Sequence, residues 1–259
     1  MKHAIFFLFW VTLPFIAWGQ ANCPTFTRYG GYDRIEITPF LTFPETHAIV
    51  EDAERDAVLV GGTFEDQSLA AGLAFKFFFE PRVALRLKAI YVQRMLRDKV
   101  ESVDTVSGVH ALTSRQYDQV SYKIAPGVQW TFFDEHLSFF GGLELPITVY
   151  GNWTFTEYEL TEQLNDTARV ETYKTTVIPG GTSIGVGAFA GVQYYFTRNF
   201  AAGLEVGSAF QYTNVGGDVD FNSVTLGSNS SQFVNSTWQQ RKYFGFTPVY
   251  PLLFITLRF

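Results

Sequence analysis

The last eleven residues, Val249-Tyr250-Pro251-Leu252-Leu253-Phe254-Ile255-Thr256-Leu257-Arg258-Phe259, have the pattern of one β-strand with two different faces. Alternate side chains of a strand point to opposite sides. The odd-numbered side chains from Val249 to Phe259 are all apolar, whereas Thr256 and Arg258 lie on the other side. This pattern predicts a strand that turns one face to an apolar medium and ends on an aromatic ring.

Residues 1–21 predict a signal peptide. Lys2 and His3 precede an apolar run from Ala4 to Ile16, and small residues follow at Ala17 and Gly19. The run is shorter than the ~20 residues of a membrane-spanning helix. We therefore assign residues 22–259 to one domain. The net charge of -6, without a basic run, argues against nucleic acid as a partner.

Alternating apolar and polar residues predict an all-β chain, an eight-stranded antiparallel transmembrane β-barrel. The predicted strands lie near Asp33–Phe43, Gln67–Phe79, Arg82–Arg94, Tyr117–Phe132, Leu137–Trp153, Thr182–Phe196, Phe200–Tyr212 and Phe246–Phe259. Short turns alternate with long polar segments, as in outer-membrane barrels. The long segments are Pro44–Asp66, Asp98–Gln116, Thr154–Gly181 and Asn214–Tyr243. Ten strands also fit, because the last two segments are long enough for a hairpin; alternatively, Tyr158–Leu160 and Val170–Thr176 extend the neighbouring strands.

The two faces of each predicted strand differ in composition. One face is apolar, and the other is small or charged and rich in glycine, which suits the narrow lumen of an eight-stranded barrel. The charges on the second face are Glu36, Lys76, Arg86, Lys88, Lys123, Glu144 and Glu205. Isolated buried charges are costly, so we expect these to pair, with Lys123 near Glu144 and Lys88 at the height of Glu205. The charges either close the lumen or line a narrow water path.

Aromatic residues cluster at the strand ends and predict two girdles at the membrane surfaces. The girdle near the short turns contains Phe77, Phe79, Trp130, Phe132, Tyr194, Phe196 and Phe200. The opposite girdle contains Tyr91, Tyr122, Trp153, Phe210 and Tyr212.

Catalytic and cofactor signals are weak. We expect no cofactor, because neither metal-ligand spacing nor a phosphate-binding glycine loop occurs. His47 and His110 lie in predicted external segments near acidic residues, but nothing fixes a catalytic geometry. His136-Leu137-Ser138 is similar to the His-x-Ser of barrel lipid A deacylases, without the acidic residue which that family uses.

The architecture and the Val249–Phe259 tail resemble the small outer-membrane β-barrel family of OmpA/OmpX-like proteins, here without a periplasmic domain. The resemblance implies the outer membrane of a Gram-negative bacterium and contact with its lipid. It also implies that the barrel-assembly machinery reads the tail through Leu253, Ile255, Leu257 and Phe259. We expect a non-enzymatic barrel whose external loops serve surface recognition or an envelope role. A narrow porin-like channel and a barrel enzyme acting on lipid or peptide at the outer rim are the alternatives.

Overall fold

A computed structural model describes residues 35–42, 65–80, 82–104, 109–134, 136–163, 169–197, 199–227, 230–247 and 249–259. The predicted signal peptide and His47 lie outside these ranges. The described residues form twelve strand segments. They are β1 (Ile35–Thr42), β2 (Glu65–Asp66), β3 (Leu69–Glu80), β4 (Val83–Asp104), β5 (Val109–Asp134), β6 (Leu137–Glu144), β7 (Ile147–Gln163), β8 (Arg169–Ile178), β9 (Gly181–Thr197), β10 (Phe200–Leu226), β11 (Ser231–Phe246) and β12 (Tyr250–Arg258). Within the described ranges, the chain contains no helix that is long and apolar enough to cross a membrane.

The segments close into a barrel with eight walls. Three walls are composite, because β6 continues into β7, β8 into β9, and β11 into β12. Every pairing between neighbouring walls is antiparallel, and β12 pairs with both β10 and β1 to complete the ring. The predicted all-β, antiparallel barrel is therefore confirmed, with its twelve strand segments arranged in eight walls.

The exterior of the barrel carries an apolar band around the part that all eight walls share. The odd-numbered residues of β3 and β4 illustrate it, with exposed Leu73, Phe75, Leu85 and Leu87 opposite buried neighbours. A closed sheet satisfies its backbone hydrogen bonds internally, so its side chains can face hydrocarbon. The exposed apolar face therefore fits lipid, not water.

The walls differ greatly in height. Whereas β1 has 8 residues, β5 has 26 and β10 has 27, far more than the ~9–11 that cross a bilayer. Beyond the membrane the tall walls form what we call the external sheet. It comprises residues 94–104 of β4, 109–119 of β5, 153–163 of β7, 169–178 of β8, 216–226 of β10 and 231–241 of β11, paired in that order.

Most of three segments predicted as long polar loops is therefore strand. β4 and β5 form one hairpin through the predicted loop Asp98–Gln116, and β10 and β11 form another through Asn214–Tyr243. Tyr158–Leu160 and Val170–Thr176 extend their neighbouring strands as β7 and β8, which was the alternative considered above. The fourth predicted loop, Pro44–Asp66, lies almost entirely outside the described residues.

Candidate functional site

The lumen at the short-turn end is organised around Glu36 of β1. Its carboxylate accepts hydrogen bonds from Lys76 Nζ at 3.2 Å, from Arg258 Nη2 at 2.6 Å and from the Tyr195 hydroxyl at 3.2 Å. We call Glu36, Lys76, Tyr195 and Arg258 the seam cluster, because it joins the first strand to the last. Glu36 is 0% exposed. One buried carboxylate thus ties together side chains from four strands.

A second ion-paired group, the central cluster, consists of Arg86, Lys88, Glu144 and Glu205. The Arg86 guanidinium contacts Glu205 at 2.7 Å. Lys88 Nζ lies 2.8 Å from Glu144 and 3.5 Å from Glu205. The structure thus brings Lys88 and Glu205 together. Lys123 is buried on β5, in register with Thr148 of β7 and Ile90 of β4, and its predicted approach to Glu144 stays a prediction.

Aromatic rings fill the space around these ion pairs. The buried rings are Phe40, Phe140, Phe189 and Phe254. Lys76 Nζ lies 5.2 Å from the ring centre of Phe140, and the Arg86 guanidinium carbon lies 4.4 Å from that of Phe189. Such contacts favour a cation over the face of a ring. The lumen is therefore packed with rings and ion pairs together.

Each of these rings packs over a glycine of another strand. The pairs are Phe40 over Gly72, Phe140 over Gly191, Phe189 over Gly142 and Phe254 over Gly203. A Cβ added at Gly191 would lie 2.3 Å from Phe140 Cζ, and one at Gly142 would lie 2.6 Å from Phe189 Cζ. The glycines of the lumen face thus leave room for phenylalanine. Sequence reasoning missed these rings, although their parity matches that of the neighbouring lumen charges.

A separate apolar group, the upper aromatic cluster, closes the lumen nearer the external sheet. It contains Leu96, Tyr117 and Trp153, with Phe155 and Ile178 packed against them. The rings of Tyr117 and Phe155 stack with centroids 4.5 Å apart. The assignment of Trp153 to the outer girdle is therefore wrong. Between Tyr150 and Trp153, β7 holds one residue more than β5, and this bulge turns Trp153 inward, where it is 2% exposed.

The inner face of the external sheet carries a row of alternating charges that sequence reasoning also missed. Asp98, Arg115, Glu157 and Lys174 follow one another across four strands. Arg115 Nε lies 2.9 Å from Glu157, and Lys174 Nζ lies 2.9 Å from Glu159 and 3.3 Å from Glu157. Burial lowers the pKa of Lys174, but hydrogen bonds to Glu159 and Glu157 outweigh it and hold this pKa above its usual value. Lys174 therefore stays charged at neutral pH.

The other predicted girdle residues lie on the exterior. Those near the short turns are Phe77, Phe79, Trp130, Phe132, Tyr194 and Phe196, all exposed, and the half-exposed Phe200. At the opposite level, the rings of Tyr91 and Tyr122 lie 5.6 Å apart. Phe210 and Tyr212 contact Phe244, a ring in a segment predicted as loop.

Of the residues considered for catalysis, His110, His136 and Ser138 are described, and they do not converge. His136 is exposed at a turn, whereas Ser138 is fully buried in the lumen. On the external sheet, His110 Nε2 lies 3.0 Å from Glu101. Within the described ranges, no group of three His, Cys, Asp or Glu side chains is placed to hold a metal ion.

A closed antiparallel barrel with an apolar exterior and a filled, ion-paired interior defines an integral outer-membrane β-barrel protein. No protein-family model and no curated protein matches the chain.

Among solved structures, the chain is similar to Neisserial surface protein A, with 12% identity, 89% of this chain and 100% of that chain covered, and a TM-score of 0.34. It is similar to Ail, the attachment invasion locus protein of Yersinia pestis, with 10% identity, 87% and 97% coverage and a TM-score of 0.33. CarO of Acinetobacter baumannii shows 11% identity, 76% and 97% coverage and a TM-score of 0.26. At these values the likeness carries no information on function.

Proposed function

We propose that this protein is a non-enzymatic outer-membrane barrel of a Gram-negative bacterium, with a lumen closed to ions and an external sheet that serves surface recognition. The filling of the lumen carries the first part of the proposal. The seam cluster, the central cluster and the packed phenylalanines occupy the membrane level, and the upper aromatic cluster lies above them.

The cost of opening this lumen supports a closed state. Opening the lumen would have to break contacts within fully buried ion pairs, and the loss of one partner from such a pair costs ~3–5 kcal/mol. A continuous water path past Lys88 would have to disrupt its contacts with Glu144 and Glu205 and displace neighbouring rings. The lumen charges thus stabilise the barrel and do not serve conduction.

The external sheet supports the second part. It is formed by the parts of β4, β5, β7, β8, β10 and β11 that extend beyond the lipid. The side chains of β11 are nearly all exposed. Trp238 is 65% exposed on it, and Phe233 is 57% exposed. A rigid, strand-built surface with exposed rings suits recognition, because little ordering is needed on binding.

The last strand supports an assembly role for the tail. Leu253, Ile255, Leu257 and Phe259 lie on the lipid side of β12, opposite the buried Leu252 and Phe254. We infer that the barrel-assembly machinery reads this apolar edge before β12 pairs with β1.

Conductance of the refolded protein in a planar lipid bilayer tests the closed lumen. The wild type is expected to give no discrete openings. A Phe140→Ala, Phe189→Ala variant serves as the matched control that empties part of the lumen and is expected to conduct. Reproducible wild-type openings whose amplitude changes in Lys88→Met would refute the closed lumen and favour the channel.

A further inference from the structure

The seam at which β1 pairs with β12 differs from a hairpin, because no turn joins the two strands. Glu36 of β1 and Arg258 of β12 lie opposite each other across this seam and are 222 residues apart in the chain. In a hairpin, the turn type and loop length fix which residues of the two strands face each other. At the seam, the side chains themselves must set the register.

Alternation of side chains does not select one register at this seam. A shift of β12 by one residue would turn its lumen face to the lipid, so alternation forbids it. A shift by two residues keeps every side chain on its own face and moves the strand by about 7 Å along its neighbour. The native register and a shift by two in either direction therefore fit the alternation alike.

The polar lumen side chains of the two strands match in the native register and in neither shifted one. Glu36 pairs in register with Arg258, and the hydroxyl oxygens of Thr38 and Thr256 form a hydrogen bond of 3.1 Å. A shift in one direction would place Glu36 opposite Thr256. A shift in the other direction would place Arg258 opposite Thr38. Either shift separates the acid from the base and one threonine from the other.

Glu36 makes charged contacts to both neighbours of β1. Its Oε1 accepts hydrogen bonds from Arg258 Nε at 2.9 Å and from Arg258 Nη2 at 2.6 Å. Its Oε2 accepts a hydrogen bond of 3.2 Å from Lys76 Nζ of β3, which is its partner in register on that side. Hydrogen bonds between ionised groups are about twice as strong as neutral ones. The contacts of Glu36 therefore discriminate between registers more sharply than the threonine pair does.

We propose that Glu36, through Arg258 and Lys76, sets the register in which β1 closes the barrel. Alternation decides which face of each strand turns to the lipid, and the charged contacts select one of the registers that alternation permits. Glu36 is 0% exposed, so a shifted strand would leave its carboxylate away from both Arg258 and bulk water. A buried polar group that specifies register is the best-attested role of such groups. This role is independent of the recognition role of the external sheet.

Cross-linking across the seam reports the register directly. Two cysteine pairs are introduced separately in a Cys23→Ser background, because Cys23 is the single cysteine of the chain. Ile37→Cys with Leu257→Cys joins positions that are opposite each other in the native register. Ile37→Cys with Ile255→Cys joins positions that are opposite each other after a shift by two. A disulfide needs Cβ atoms about 3.5–4.5 Å apart, so each pair favours its own register.

Moving the cation by two residues is expected to move the register. The charge-swap variant combines Thr256→Arg with Arg258→Thr, which preserves the composition and the lumen face of β12. It is refolded into lipid vesicles and oxidised, and the cross-linked fraction is measured by mass spectrometry. We expect the dominant cross-link to change from the Leu257 position to the Ile255 position, because the shifted register then places the new arginine opposite Glu36.

A second variant applies if the charge-swap variant does not fold. Glu36→Gln removes the charge on β1 and is expected to lower the ratio of native to shifted cross-link at least about tenfold, because the loss of one partner from a buried ion pair is strongly destabilising. Glu205→Gln is the matched control. Glu205 is also a buried carboxylate shared by two cations, but it lies in the central cluster, so its replacement should leave the ratio unchanged.

Three results would overturn the proposal. One is a folded charge-swap variant that still forms its cross-link mainly through the Leu257 position. Another is an unchanged cross-link ratio in Glu36→Gln. The third is a fall of equal size in Glu205→Gln, because a general loosening of the barrel would then explain the shift.

Discussion

Replacement of Glu36 by glutamine tests how strongly the seam cluster holds the barrel closed. Glu36→Gln preserves side-chain volume and creates no cavity, so the changes are the loss of the negative charge and the replacement of one acceptor oxygen by a donating NH2 group. It leaves Lys76, which is 2% exposed, and Arg258 without their shared carboxylate. Removing one partner of a buried ion pair costs ~3–5 kcal/mol, because the remaining charge stays desolvated. We expect a loss of that size in the free energy of unfolding.

The measurement is a urea titration of the protein folded into lipid vesicles, followed by tryptophan fluorescence. Stability falls linearly with urea, so the shift in midpoint at constant slope reports the change in free energy. Glu101→Gln is the matched control, because Glu101 is 54% exposed and pairs with Lys99 at 3.9 Å. An exposed pair of this kind contributes at most ~1 kcal/mol. A loss below ~1 kcal/mol for Glu36→Gln would refute the reasoning, since Lys76 and Arg258 would then be paired or hydrated by other means.

Two further predictions concern Trp153 and Tyr173. In single-tryptophan variants, lipids with brominated acyl chains should quench Trp130, which is 43% exposed on the barrel exterior, and leave Trp153 unquenched; strong quenching of Trp153 would place it in the girdle after all. The Tyr173 hydroxyl donates to Glu171 at 2.8 Å, and this hydrogen bond raises the pKa of Tyr173 from 10.0 to about 12. Because the folded-state pKa is the higher one, this contribution to stability is complete below pH 10 and is lost as the pH rises towards about 12. An ultraviolet titration should show a tyrosine that ionises near pH 12 in the wild type and at a lower pH in Glu171→Gln, and an unchanged titration in that variant would contradict the assignment.

Strict alternation made the membrane part of the barrel predictable. A strand shows its two faces in sequence with a period of two, so Glu36 and Lys76 could be assigned to the lumen without knowing their neighbours. The even number of walls could be predicted because short turns alternate with long segments along the chain, so that the strands come in antiparallel pairs.

The lumen phenylalanines depend on information that alternation does not carry. A phenylalanine on a membrane strand suits lipid unless a glycine faces it on another strand. Whether Phe140 meets Gly191 is decided by the register between β6 and β9. Register is a property of two strands together and cannot be read from either one alone.

The external sheet could not be predicted from the sequence for a different reason. Its strands have solvent on at least one face and carry polar residues on both, as in Thr172 to Thr176 of β8. Without an apolar face, the alternation that reveals strands disappears, and the composition resembles that of a loop. Cross-strand charge pairs such as Arg115 with Glu157 become visible only once the hairpins are aligned.

The β7 bulge also bears on how this wall can change in length. Deleting Asn152 would remove the extra residue and leave Tyr150 paired with Ser121 and Trp153 with Gln119, so every later side chain would keep its facing. A single-residue deletion further along β7 has no such extra residue to remove and would turn every later side chain to the other face of the sheet. The bulge is thus the point in β7 at which one codon can be lost while both the lipid-facing residues before it and the external sheet after it stay as they are.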